Sequence, residues 1–344
     1  MSNYSETLSG LASQLSRLAA SSSSDAEKNK DAVIIAQNVL NAAKGPTPDW
    51  MDRMINVMEL VGLKLFLEWK IFDLIPLDNS ISYTHLAKKL EADVSLITLK
   101  LPEYFAQYGR REPATRTHTP YAFAHGKPEK EVWELHEENP EQVKRFMKGM
   151  EMVQQFIPLE GIYDFSWVKA KLLEEHNRPI FIDVGGSKGH AIRAILKENP
   201  FIPAERVVLQ DRDEVIEQVA ALKDPGLESV KLQAHDFHTE QPVKNALIYW
   251  IRRCLHDYGD DDSVKILSQL SDAMGSDSKV LVVEYVLQNP PPSVGAVTDF
   301  AMMSVGGKER TAGDWKALTA RAGLKIEKIH GLDMKMQVIE CTKA

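Results

Sequence analysis

This sequence gives no support for disulfide bonds, membrane spans or a secretion signal. It has two cysteines in 344 residues, Cys254 and Cys341, which are too few for a disulfide framework or a cysteine-rich zinc site. No hydrophobic run approaches the ~20 residues that a membrane span needs. Residues 1–20 lack the basic segment and apolar core of a signal peptide. We therefore expect a cytosolic protein that makes no membrane contact and keeps both thiols reduced.

Positive charge is also scarce. The chain has 41 Lys and Arg against 49 Asp and Glu, which gives a formal net charge of −8. It therefore lacks the broad basic face that attracts nucleic-acid phosphates. This balance argues against a nucleic-acid partner and favours a small molecule.

Residues 82–109 nevertheless have the pattern of a helix-turn-helix, which on its own could bind DNA. The second helix carries only Lys100 among basic residues before Arg110, and Glu103 lies beside it. We interpret the segment as a winged-helix module used for packing. A non-catalytic DNA-binding protein stays as an alternative.

The N-terminal part of the chain is predicted to be helical, and the length suggests two domains. Residues 4–18 place leucines at helical spacing, and residues 32–43 form a second helix that ends before Gly45 and Pro46. Residues 50–75 are too apolar for a solvated helix. They therefore belong either to the core or to a subunit interface.

From about residue 178, short β-rich segments alternate with helical ones. The predicted strands are residues 180–183, 207–209, 230–233, 246–251, 280–285, 326–329 and 336–340. The predicted helices are residues 190–198, 213–222, 263–274 and 311–322. This alternation predicts an α/β fold with a doubly wound, mostly parallel, Rossmann-like sheet. We place the domain boundary in the polar segment 112–139 and predict a helical domain at residues 1–115 and a catalytic domain at residues 116–344.

Acidic residues and histidines follow the predicted parallel strands. They are Asp183, Asp211, His235, Asp236, His256, Asp257 and Glu284. Ligands of open α/β sheets bind outside the carboxyl ends of the strands. In a purely structural sheet these positions would hold arbitrary turn residues, so the pattern predicts a ligand site at this edge.

A glycine loop follows the first of these strands. Residues 185–189 read GGSKG and precede a predicted helix, so the backbone can approach a ligand closely. Asp211 lies at the end of the next strand, where an acid can accept hydrogen bonds from both hydroxyls of a ribose. The loop is neither a P-loop nor a strict G-x-G-x-x-G. A nucleoside carrying an amino acid fits better, although a tight turn and a solvated acid would also explain these residues.

His256 is the candidate general base. We expect it to end a buried strand on the ligand edge, whereas a histidine in an arbitrary loop is usually just solvated. A phenol-like hydroxyl has a pKa of ~10, and an imidazole with a pKa of ~6.5 is suited to take its proton. Glu284 and Glu309 could fix the tautomer and orientation of this imidazole.

These residues resemble the S-adenosylmethionine-dependent O-methyltransferases of the caffeic-acid type, most closely their fungal secondary-metabolite branch. The resemblance covers nearly the whole chain. Its motifs are DVGGSKG at 183–189, RRCLHDY at 252–258, DFAMM at 299–303, GGKERT at 306–311 and LFLEWKIFD at 65–73. Several motifs in the correct order are more specific than any one alone.

The resemblance implies a role for each site residue. His256 would be the base, flanked by Glu284 and Glu309. The S-adenosylmethionine site would comprise Asp183, Gly185, Gly186, Asp211, Asp236, Phe237 and Arg252. The acceptor wall would include Asp299, Met302 and Met303, to which we add Met150 from an apolar segment that a buried helix face would also explain. Family members are typically interlocked homodimers, and we expect no metal.

Two residues depart from the family pattern. Ser187 stands where the loop usually has its middle glycine, and Tyr258 replaces a tryptophan. We expect His256 to remove a hydroxyl proton of a small aromatic or polyketide-like acceptor, which then receives the methyl group, with S-adenosylhomocysteine as the other product. A pericyclase or dehydratase using the same pocket is the alternative. The residues alone decide neither the acceptor nor O- versus N-methylation.

Overall fold

The computed structural model describes residues 101–138 except 110 and 114, residues 159–344 except 333–335, and the single residues Ser13 and Lys70. The chain divides into two compact units, Met1–Leu60 and Val61–Ala344. The predicted N-terminal helices and most of the helix-turn-helix lie outside the described residues, and the boundary near residue 115 stays a prediction. Within the described part, no helix is long and apolar enough to cross a membrane.

A seven-stranded sheet forms the centre of the described fold. Its strands are β1 Phe181–Val184, β2 Val207–Asp211, β3 Lys231–Ala234, β4 Ile248–Arg252, β5 Lys279–Glu284, β8 Leu324–His330 and β9 Gln337–Lys343. Their order is β3-β2-β1-β4-β5-β9-β8. The first five are parallel, and β9 pairs antiparallel with both β5 and β8. The strands β6 Val286–Leu287 and β7 Arg310–Thr311 form a separate parallel pair.

Helices connect these strands. Ahead of the sheet lie α1 Leu101–Tyr108, α2 Pro120–Ala124, α3 Val132–Glu137 and α4 Val168–Glu174. Within the sheet domain are α5 His190–Glu198, α6 Asp213–Leu222, α7 Asp260–Ala273, α8 Ser293–Val305 and α9 Ala312–Arg321. The alternation of parallel strands with helices confirms the predicted α/β class.

Helices cover both faces of the sheet. Because successive strand residues point to opposite sides, each strand contributes buried side chains to both faces. Trp250 and its neighbours on one face pack against residues of α4, α5 and α6. Tyr249 and its neighbours on the other face pack against α7 and α9. The result is a three-layer arrangement in which the carboxyl ends of β1, β2, β3, β4 and β5 share one edge.

Three parts of the fold differ from the sequence-based expectation. The polar segment around residues 112–139 contains α2 and α3. Thr119 caps α2, and Glu131 with Glu134 forms a capping box for α3, so local capping stabilises helices that hydrophobic periodicity does not reveal. Helix α8 and the β6–β7 pair were not predicted at all.

Candidate active site

The glycine loop packs tightly against side chains of β1 and β2 and of the loops that follow β3 and β4. At Gly185, where φ is +69°, an added Cβ would lie 2.9 Å from Cys254 Sγ and 3.2 Å from the Phe237 ring. At Gly186 it would lie 2.3 Å from Leu209 Cδ1 and 2.5 Å from Asp183 Oδ2. Neither position has room for a side chain, so both glycines are required by close approach.

Asp183 lies beneath this loop. It is 1% exposed, and its Oδ2 has no hydrogen-bond partner among the described residues. Burial raises the pKa of Asp183 to about 7, against the opposing effect of Arg252 and with a further contribution from Asp211. Arg252 ends β4, and burial lowers its pKa. A buried carboxylate without a full set of donors favours a cationic or hydrogen-bonding ligand.

Asp211 ties the loop to the end of β2. Its Oδ2 accepts a hydrogen bond from Ser187 N at 2.7 Å, and its Oδ1 accepts one from Arg212 N at 2.8 Å. Burial raises the pKa of Asp211. Ser187 has a φ of +50°, in the left-handed region that favours glycine. This conformation explains why a glycine is usual at the position.

Asp236 and Phe237 follow β3 at the same edge. The Asp236 side chain is largely exposed and accepts hydrogen bonds from the His238 backbone N at 3.0 Å and from its ring Nδ1 at 2.9 Å. Phe237 packs beside Gly185 and lies 5.9 Å from the Tyr258 ring. Strand β3 itself ends one residue before His235.

His256 does not end a strand, contrary to the expectation. Strand β4 ends at Arg252, and His256 lies on the 3₁₀ turn Leu255–Asp257. The side chain is buried, and two carboxylates face its Nδ1: Glu309 Oε1 at 3.3 Å and Glu284 Oε2 at 3.7 Å. Since an ionised carboxylate only accepts hydrogen bonds, these contacts favour the form of the ring in which Nδ1 carries a proton. Asp257 Oδ1 lies 3.7 Å from Nε2.

The surrounding charges make this imidazole unusually basic. Burial alone would lower the pKa of His256, but Glu284, Asp257 and Glu309 together outweigh it and raise the pKa to about 9. Burial has the opposite effect on the Glu284 carboxyl, whose pKa it raises. The balance favours the ionised form of the imidazole.

Each glutamate has a second contact. Glu284 ends β5, is fully buried, and its Oε1 accepts hydrogen bonds from Cys254 N at 3.0 Å and Leu255 N at 2.9 Å. Glu309 N donates to Asp299 Oδ1 at 2.9 Å, and burial raises the pKa of Asp299 to about 6. Thus Glu284 holds the backbone of the histidine turn, and Asp299 holds the backbone of Glu309.

The predicted acceptor wall is only partly described. Met303 on α8 is fully buried, whereas Met302 beside it is half-buried. Met150 lies outside the described residues. No group of three potential metal-ligating side chains was found in the described segments.

Sequence reasoning missed Arg310. It follows Glu309, is fully buried, and donates to backbone carbonyls on both sides of His256. An arginine next to a predicted site glutamate was an available signal. Its contacts are with the turn that contains His256. This turn was not predicted, because His256 was expected at the end of a strand.

The site fits a nucleoside with a cationic sulfur. The loop glycines bring the backbone against neighbouring side chains more closely than any residue with a Cβ could, and Asp183 Oδ2 has no hydrogen-bond partner within the described part of the chain. An ionised carboxylate accepts about four hydrogen bonds, so Asp211 retains acceptor capacity beyond its two backbone donors.

Comparison with known proteins identifies the family and the fold of this chain. A family model described as "O-methyltransferase domain" matches residues 107–325. "Methyltransferase cfoD" of Aspergillus candidus is 33% identical, over 93% of each chain. Among solved structures, OxaC in complex with sinefungin and meleagrin has a TM-score of 0.66 at 20% identity and covers 98% of this chain and 99% of its own. "A Pericyclic Reaction enzyme" has a TM-score of 0.62 at 19% identity, over 98% and 100% of the two chains. Both structural likenesses establish the fold.

Proposed function

The chain belongs to the family of S-adenosylmethionine-dependent O-methyltransferases that act on secondary metabolites, and from that premise we propose that His256 is its general base. The observation that carries the proposal is the buried imidazole whose Nδ1 faces Glu309 and Glu284. With Nδ1 committed to the glutamates, Nε2 is the nitrogen left to take a proton.

The chain's own residues perform three tasks in this mechanism. His256 Nε2 accepts the hydroxyl proton, and Glu309 and Glu284 stabilise the imidazolium that forms. The cofactor is held by residues of the sheet edge: Asp183, Gly185, Gly186, Asp211, Asp236, Phe237 and Arg252. When bound, S-adenosylmethionine supplies the methyl group and leaves as S-adenosylhomocysteine. Holding the two reactants in line supplies much of the acceleration, up to about 7–11 kcal/mol in well-oriented systems.

The pH dependence follows from the state of His256. Only the neutral imidazole can accept a proton, and its pKa is raised to about 9. We therefore expect kcat/KM to rise through the neutral range and to level off near that pKa. A nearly pH-independent rate over this range would contradict the assignment.

For the acceptor, we propose a small aromatic or polyketide-like hydroxyl compound. Asp299 and the Met302–Met303 pair would line its wall, and Met150 is proposed from the sequence alone. Interlocked dimerisation and division into domains at residues 1–115 and 116–344 are likewise proposals. Light scattering coupled to size-exclusion chromatography tests the dimer.

The test of the base compares His256→Ala with His176→Ala. His176 is exposed and precedes β1, at the edge of the sheet opposite the site. Both variants and the wild type are assayed with methyl-labelled S-adenosylmethionine against phenols, naphthols and meleagrin, and calorimetry measures cofactor binding. We expect His256→Ala to lose about 10²–10⁴-fold in rate with cofactor binding retained, and His176→Ala to match the wild type. Full activity of His256→Ala would overturn the assignment.

The same label separates methyl transfer from the alternative chemistry. The fold likeness to a pericyclic enzyme favours a pericyclase or dehydratase as the second candidate. Such an enzyme would convert its substrate without transferring label. Mass spectrometry and NMR of the product then show whether oxygen or nitrogen carries the methyl group.

A further inference from the structure

The segment between α8 and β7 runs directly along the histidine turn. An added Cβ at Gly307 would lie 1.9 Å from the His256 carbonyl oxygen. Lys308 N donates a hydrogen bond to this same oxygen at 2.9 Å. The backbones of the two segments are therefore in contact at the residue that carries the proposed base.

Arg310 extends this contact to both sides of the histidine. Its Nη1 donates to Leu255 O at 2.9 Å, and its Nη2 donates to Tyr258 O at 2.8 Å. The guanidinium is fully buried, and its Nε donates to Asp260 Oδ1 at 2.9 Å. A planar guanidinium can bridge two carbonyls in a fixed geometry, whereas a lysine ammonium is a point charge on a flexible stem.

The turn's own hydrogen bonds are at the long end of the ordinary range, and donors from outside the turn add to them. Asp257 N lies 3.2 Å from Cys254 O, and Tyr258 N lies 3.3 Å from Leu255 O. These distances exceed the usual ~2.9–3.0 Å of a backbone bond. The N–H groups at the start of the turn are held by Glu284, and the carbonyls by Arg310.

We infer that Arg310 is a positioning residue, which fixes the backbone of the turn so that His256 Nδ1 stays against Glu309 and Glu284 while Nε2 stays free for the acceptor. This inference rests on the proposed function of His256 as the base. The charged groups that face the imidazole are Glu284 on β5, Glu309 before β7 and Asp257 on the turn.

Arg310→Lys tests the inference because it keeps the charge and removes the double contact. The full chain, labelled with ¹⁵N-histidine and saturated with S-adenosylhomocysteine, is titrated by NMR, and the His256→Ala spectrum assigns the signal. If His256 drifts from its carboxylates, its titration midpoint falls by roughly one pH unit. The rate of methyl transfer should fall up to about 10²-fold with cofactor affinity unchanged.

A structural control separates positioning from loss of stability. Leu318→Ala removes a buried side chain of α9. It is expected to lower the melting temperature while the His256 midpoint stays at the wild-type value. If Arg310→Lys does not fold, Ser263→Ala replaces it, since the Ser263 hydroxyl lies 3.2 Å from Nη2 and contacts the same two carbonyls. That variant changes no charge and should move the midpoint less, in the same direction.

An unchanged midpoint in the Arg310 or Ser263 variant overturns the inference. If instead His256 is not the base, the result is different: His256→Ala retains methyl transfer, regardless of the titration midpoint measured in the Arg310 variant. The titration itself needs neither turnover nor a known acceptor.

Discussion

Gly186→Ala is the substitution for which the structure predicts the clearest steric clash. The new methyl group would lie 2.3 Å from Leu209 Cδ1, which is about 1.1 Å short of the 3.4 Å where ordinary contact begins (3.4 Å less 2.3 Å). It would also lie 2.5 Å from Asp183 Oδ2. Leu209 and Asp183 are both buried, so their side chains would have to change rotamer within a packed interior to make room.

Such overpacking costs about 1–3 kcal/mol of folding free energy. If the loop shifts instead, cofactor affinity should fall by about tenfold or more, equivalent to about 1.4 kcal/mol. Urea unfolding without ligand measures the first quantity, and calorimetry with S-adenosylmethionine measures the second. We expect one or both to change.

Gly313→Ala is the matched control. Gly313 lies in helix α9, where an added Cβ would meet only Thr311 Oγ1, at 3.6 Å. Alanine favours a helix by up to about 1 kcal/mol over glycine, so this variant should be neutral or slightly more stable, with unchanged cofactor affinity. Wild-type stability and affinity in Gly186→Ala would refute the steric argument, and so would an equal loss in Gly313→Ala.

Two further substitutions test the loop and the base. Ser187→Gly should raise the free energy of unfolding by about 1 kcal/mol, because glycine adopts the left-handed backbone conformation of this position without strain. A lower stability in urea unfolding would show instead that the serine hydroxyl makes a stabilising contact. Glu309→Gln removes a charge 3.3 Å from His256 Nδ1, so the pKa of His256 should fall by roughly one unit. The acid limb of kcat/KM, measured by label transfer, should then move to lower pH, whereas an unmoved limb would exclude Glu309 as a partner of the base.

Elements with strong local signals were predictable from the sequence. The bounds of α5 and α6 agree with the predicted helices, because their apolar periodicity is flanked by clear ends. The strands were found, but all of their ends except the start of β2 are displaced by one to three residues, since a strand boundary depends on pairing partners rather than on its own residues. The edge acids were predictable because parallel strands end together.

Features that depend on loop geometry were not predictable. Helix α8 follows three consecutive prolines, and its buried residues include Gly295 and Asp299 beside Val297, Phe300 and Met303. Small and polar residues therefore interrupt the apolar pattern by which a helix is recognised. His256 was predicted at a strand end because the hydrophobic pattern of the strand does not indicate the 3₁₀ turn that follows it. The hydrogen bond from Ser187 N to Asp211 likewise depends on a backbone angle that no residue pattern encodes.

The two-stranded β6–β7 pair explains how the site comes together. Glu284 ends β5, and two residues later Val286 pairs with Arg310. This pairing brings residues 309 and 310 beside the end of β5, although they lie some two dozen positions further along the chain. Glu309 therefore reaches the same imidazole nitrogen as Glu284, and Arg310 reaches the carbonyls of the turn. The short β6–β7 pair thus brings Glu309 to His256 and Arg310 to the carbonyls of the turn, beside the Glu284 that ends β5. A change that unpairs β6 from β7 should therefore affect the Glu309 and Arg310 contacts together.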